Sequence, residues 1–214
     1  MKRRKVSRGQ QIFNGIVYSF ALIGVVSTVL FFGRLIGGSS SKNEGSAKVR
    51  RPSIDVQLLD INPYSRPGTK LAKVNGVVIH YTANPRSSAQ QNRDYFEGLK
   101  DSHQTHASSH FVVGLDGEIV QCIPTTEQCY ASNQRNEDTV AIECCHPDES
   151  GEFRKSTYES VIRLTAYICR KYHLSSKDVI RHYDITGKLC PKYYVEHEDA
   201  WKAFKEDVAE HLGE

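Results

Sequence analysis

The sequence predicts an α/β domain, a mixed central β-sheet with helices packed on it, preceded by a single N-terminal transmembrane helix. Three observations carry this. Val74–Tyr81 and Thr139–Cys145 are continuous apolar runs rich in β-branched residues, suited to central strands buried on both faces. Two further segments repeat apolar residues at three-to-four spacing, which marks helices with one core-facing side. These runs alternate along the chain with a hairpin between them, the order expected of a mixed sheet covered by helices.

Residues 1–11 are basic and polar, with Lys2, Arg3, Arg4, Lys5 and Arg8. From Ile12 to Phe32 no residue is charged. About 21 residues at about 1.5 Å each span roughly 30 Å, the hydrocarbon thickness of a bilayer. The run is longer than a signal-peptide core and no Ala-x-Ala follows it. Residues 12–36 are therefore expected to form an uncleaved signal anchor, with the basic end in the cytoplasm and the rest outside. Residues 37–53, rich in Gly, Ser and Lys, form a polar tether. The folded domain is expected over 54–214.

Within that domain Ile54–Ile61 reads as extended, and Asn62–Gly68 as a loop with two prolines and a glycine. Ser88 and Gln91 form a capping box, and Tyr95, Phe96 and Leu99 share a face of the helix that follows. His110–Leu115 and Glu118–Ile123 are short strands joined at Asp116-Gly117, a strong hairpin signal. Ser156 with Glu159 predicts the cap of a long helix carrying Tyr158, Val161, Ile162, Thr165, Ile168, Cys169 and Tyr172 on its core face. Val179–Arg181 is a brief strand. Ala200, Trp201, Phe204, Val208 and Leu212 give the last helix an apolar stripe.

Composition excludes some functions. The 39% hydrophobic and 25% charged content is that of a globular chain. The net charge is only +3 and sits mostly at the N-terminus, so the domain offers no electrostatic footprint for nucleic acid. Six cysteines in 214 residues do not make a disulfide-dense scaffold. Cys122 and Cys129 are near enough in sequence to pair, while Cys144 and Cys145 should face opposite sides of a strand. Free, half-buried thiols are the expected state.

Candidate chemistry begins with His80 and His182, each delivered by an apolar β-branched run to the edge of the sheet. Two satisfied core histidines would give the same pattern. Cys190 follows His182 in a turn-rich loop, and His and Cys supply zinc's preferred nitrogen and sulfur donors. Three protein ligands leave a fourth position open, the layout of a catalytic zinc site. Glu143 interrupts an apolar strand, and a buried charge costs several kcal/mol unless paired. It is either half of an ion pair or a general base. Lys188 is either an oxyanion partner or a solvated lysine. His103 and His106 read as solvated, His173, His197 and His211 as surface residues, and His110 as structural or substrate-facing. His146 stands at a strand end.

Five stretches carry a resemblance: Asn62–Gly68, Val77–Ala83, Ala107–Val113, Val140–Glu143, and Arg181–Asp184 through Lys188–Pro191. Together they resemble the zinc-dependent N-acetylmuramoyl-L-alanine amidases of the amidase-2 family, related to phage T7 lysozyme-type amidases and peptidoglycan recognition proteins. The resemblance implies Zn2+ on His80, His182 and Cys190, and hydrolysis of the amide between N-acetylmuramic acid and L-alanine in peptidoglycan. It implies Glu143 as catalytic base and Lys188 as oxyanion stabiliser. Ser109 stands where the phage enzyme has a catalytic tyrosine, and Tyr130-Ala131 where many relatives have Trp-His. The expected protein is a membrane-tethered, extracytoplasmic bacterial enzyme with a monomeric catalytic domain. The rivals are a peptidoglycan-binding module that does not cut and a zinc peptidase of the stem peptide.

Overall fold

In a computed structural model the described residues are 49–214, so the predicted tail, anchor and most of the tether lie outside them. Among the described residues no helix is long and apolar enough to cross a membrane. The strands are β1 (Asp55–Val56), β2 (Gly76–Tyr81), β3 (Phe111–Val113), β4 (Ile119–Gln121), β5 (Thr139–Cys144) and β6 (Val179–Arg181). They form one sheet in the order β1-β4-β3-β5-β2-β6. β3 and β4 pair antiparallel and every other neighbouring pair is parallel, the mixed sheet expected.

The helices are α1 (Ala89–Ser102), α2 (Lys155–Tyr172), α3 (Tyr183–Thr186), α4 (Lys192–Glu196) and α5 (Glu198–Leu212). Strand alternation sorts the side chains into two layers. Val77, Ile79, Val140, Ile142 and Cys144 join a core with Ile168 of α2 and Phe204 of α5. Val112, Val120, Ala141 and Cys145 join a smaller one with Ala89 and Phe96 of α1. Cys144 and Cys145 thus face opposite sides, as expected. Each such fully buried aliphatic or aromatic side chain contributes roughly 1.5–3 kcal/mol.

Local signals held unevenly. At α1 the Ser88 hydroxyl accepts from the Gln91 amide and the Gln91 carboxamide from the Ser88 amide, a complete capping box. Tyr95, expected on the core face, is half exposed, and Asn92 takes the inward place one turn before Phe96. The hairpin turns through Leu115-Asp116-Gly117, with Gly117 left-handed at φ 84° and a Gly114–Glu118 backbone bond of 2.8 Å. Ser156 is not the cap of α2. The helix begins one residue earlier with no side-chain cap, because Ser156 and Thr157 donate their hydroxyls to the hairpin carbonyls of Leu115 and Gly114. All six cysteines are free and buried.

Candidate metal centre

β2, β5 and β6 run parallel, so their carboxyl ends share one edge, where α/β sheets place ligands. His80 on β2 is level with Glu143 on β5. Ile79 is level with Arg181 on β6, and the His182 amide donates to the Ile79 carbonyl. The two imidazoles meet edge to face, ring centroids 4.8 Å apart. Cys190 closes the group, its Sγ 3.7 Å from His80 Nδ1. Ligand atoms of His80, His182 and Cys190 all lie within 4.8 Å of one another, and the three residues are buried, a set that could hold a metal ion.

The turn-rich loop between His182 and Cys190 contains one helical turn, α3. Asp184 accepts from the Arg181 amide at its start, and left-handed Gly187 ends it. The Tyr183 amide donates to the Cys190 carbonyl, folding the thiol back under the histidine. Arg181 braces this loop from below. It is buried, ion-paired to Asp184 and Glu198, and donates to the Tyr194 carbonyl.

Burial and charge set the protonation states. Burial, then the neighbouring His182 and Lys188, holds His80 well below the usual imidazole value. Burial and Lys188 lower His182 in the same direction. Both rings are therefore neutral and keep a lone pair for a cation. Burial and Glu143 push the Cys190 thiol up to about 12 against the pull of Lys188. The buried Nδ1 of His182 and Oε2 of Glu143 have no hydrogen-bond partner. Burial pushes the Glu143 carboxyl up to about 8, with Lys188 acting against it. Oε1 lies 4.0 Å from His80 Nδ1.

These groups open into a cleft of about 360 Å³ that Phe96, His106, Tyr130 and Asn136 also line. Lys188 also lines it and, among the described residues, makes no ion pair. All five predicted site residues therefore meet in one place. His106, expected to be only solvated, is exposed but also borders the cleft, packed against Tyr64 and Tyr130. Its place follows from those ring contacts, which its polar sequence surroundings do not signal. Ser109 is buried and donates to the Phe111 carbonyl, away from the cleft. His146 bonds the Asp148 carbonyl and does not line it.

His110 is structural. The Ala141 amide donates to Nδ1 at 3.0 Å, so the ring proton sits on Nε2, 2.8 Å from the Glu127 carbonyl. A second proton on Nδ1 would face another donor. Burial lowers this histidine to about 4, against about 6.5 in the unfolded chain. Between those values the unfolded state binds more protons, so stability should fall as pH drops from about 6.5 to about 4, by on the order of 3 kcal/mol. Denaturant titrations of the metal-free protein across that range should show the slope, and His110→Phe should make it shallower, with the part due to His80 and His182 remaining. An unchanged slope would remove His110 as its source.

An α/β domain with a candidate metal centre at the carboxyl edge of its parallel strands is the class these features define. The chain belongs to the N-acetylmuramoyl-L-alanine amidase family Amidase_2, which residues 70–193 match. It is 34% identical over 169 residues to the N-acetylmuramoyl-L-alanine amidase CwlL of Bacillus licheniformis, covering 73% of this chain and 46% of the relative. Identity to the amidase BlyA of Bacillus subtilis strain 168 is 32% over 171 residues, 70% of this chain and 45% of that one. The chain thus spans about half the length of the curated relatives it matches. The solved structure of PlyL shares the fold, with a TM-score of 0.64 at 21% identity over 75% of this chain and 99% of that one.

Proposed function

We propose that the domain is a zinc-dependent N-acetylmuramoyl-L-alanine amidase that hydrolyses the amide between the lactyl group of N-acetylmuramic acid and L-alanine in peptidoglycan. The observation that carries this reading is the meeting of His80, His182 and Cys190 beside Glu143 in an open cleft. Zinc suits the donors. Nitrogen and sulfur ligands at about 2.1 and 2.3 Å in a tetrahedron stand roughly 3.6 Å apart, close to the 3.7 Å between His80 Nδ1 and Cys190 Sγ. The unpartnered Nδ1 of His182 faces the same place with its lone pair free.

His80, His182 and Cys190 would hold the ion, Cys190 as thiolate, its proton released on binding. Zinc, when bound, supplies a Lewis acid beside the scissile carbonyl and lowers the pKa of the attacking water to about 7. Glu143 takes a proton from that water as it adds to the lactyl carbon, and holds it on its carboxylate. As the carbon–nitrogen bond breaks, Glu143 returns the proton to the alanine nitrogen, so the carboxylate ends as it began. Lys188 places its ammonium against the oxygen that becomes negative.

The same reading includes the membrane. Residues 1–11 would lie in the cytoplasm, 12–36 would span the bilayer, and 37–53 would tether domain 54–214 outside. The apolar length of Ile12–Phe32 and the basic residues before it support this. Digestion of purified sacculi followed by mass spectrometry tests the chemistry. Lactyl-ended glycan strands and stem peptides with a free alanine amine are expected, and chelator should stop their release. Products with intact muramyl–alanine links, or binding without release, would overturn it.

A further inference from the structure

We propose that Ser132 and Asn133 are positioning residues that fix both histidine rings with Nδ1 turned towards the metal and Nε2 turned away. This deepens the metal-site reading and rests on it. His182 Nε2 lies 2.8 Å from Asn133 Oδ1. A carboxamide oxygen only accepts, so the ring proton is on Nε2 and Nδ1 keeps its lone pair. That Nδ1 is the buried ring atom without a partner. His80 Nε2 lies 3.1 Å from the Ser132 hydroxyl, which can accept in the same way. Its Nδ1 then faces Cys190. One dipeptide therefore reaches the outer nitrogen of both rings.

The dipeptide is itself held in place. The Asn136 carboxamide oxygen accepts from the Ala131 and Ser132 amides at 3.0 and 2.6 Å, pinning the backbone that leads into the turn. Asn133 is left-handed at φ 52°, a conformation asparagine adopts more readily than other residues with a side chain. Glycine would satisfy the backbone at this position but could not reach His182. The side chain serves the turn and the ring together. Hydrogen bonds to the outer nitrogen of a metal-bound histidine set its tautomer and raise its basicity, and losing one typically costs about 10–100-fold in metal affinity.

The test has two readouts. In metal-free protein with 15N-labelled histidine, long-range proton–nitrogen spectra should show His80 and His182 both protonated on Nε2. An Nδ1–H signal from His182 would overturn the proposal, because the Asn133 amide would then face the other way. Competition with a chromophoric chelator should show zinc affinity falling about 10–100-fold in Ser132→Ala and in Asn133→Gly. Asn133→Asp and Ser132→Thr, which keep an accepting oxygen, should recover most of it. Thermal unfolding of the metal-free variants should match the parent, separating orientation from general loss of structure. A parent that takes up no zinc sinks the metal-site reading, while the spectra still decide the ring protonation. A parent that takes up zinc with variants equal to it sinks this inference alone.

Discussion

Glu143→Gln is expected to lower turnover by about 10²–10⁴-fold, the usual contribution of a general acid–base group, with zinc content unchanged. The substitution keeps the shape of the side chain and removes only its capacity to take and return a proton. Glu143 supplies no ligand in the proposed set, and its Oε1 stands 4.0 Å from His80 Nδ1. The loss should therefore fall on kcat and not on KM. Stability gives an independent sign. Burial already penalises the charged carboxylate, so a neutral amide at this position should leave the melting temperature equal or higher, as expected where a strained group is retained for activity. Single-turnover assays on sacculi and a thermal melt check both. A variant retaining more than about a tenth of parental activity would remove Glu143 as the base.

Lys188→Met should lower kcat by about 10²–10³-fold, the loss seen when one donor to a developing oxyanion is removed. Its effect on metal binding should run the other way. The Lys188 charge lowers the pKa of His80 and His182, which shows that its field disfavours positive charge on those rings. A neutral residue gives up the pull of Lys188 on the Cys190 thiol, but zinc uptake with loss of that one proton still adds a net positive charge to the site, so zinc should bind at least as tightly while catalysis slows. Chelator competition and steady-state rates on the same sample separate the two quantities. Equal loss of both would mean that Lys188 supports the fold of the loop and not the reaction.

Much of this arrangement was legible in the chain because both strand-end groups interrupt apolar runs. His80 and Glu143 each place a polar side chain where burial needs a reason, and that local oddity is visible without coordinates. Their meeting is not, because a parallel pairing joins segments far apart in sequence and a single sequence carries no record of register. Ser132 and Asn133 gave no signal either. A polar dipeptide at the start of a short 3-10 turn looks like any loop until the rings above it are placed. Ser156 shows the opposite failure. Its spacing to Glu159 matched a cap, but a tertiary acceptor, the Leu115 carbonyl, captured the hydroxyl first. Cys190 was legible as a donor, while the helical turn that aims it depends on Asp184 and Gly187 acting together.

The level pairing of β2 with β5 carries a further consequence. Side chains alternate between faces along a strand, so sliding β5 by a single residue would swing the Glu143 carboxylate into the apolar layer under α2 and α5. A charge there would have neither water nor partner, and the cleft would receive a cysteine or an isoleucine instead. The oily side chains of that layer thus police the alignment of the acid with the imidazole, and a repacked core that permitted slippage would abolish the proposed hydrolysis without altering any residue that lines the cleft.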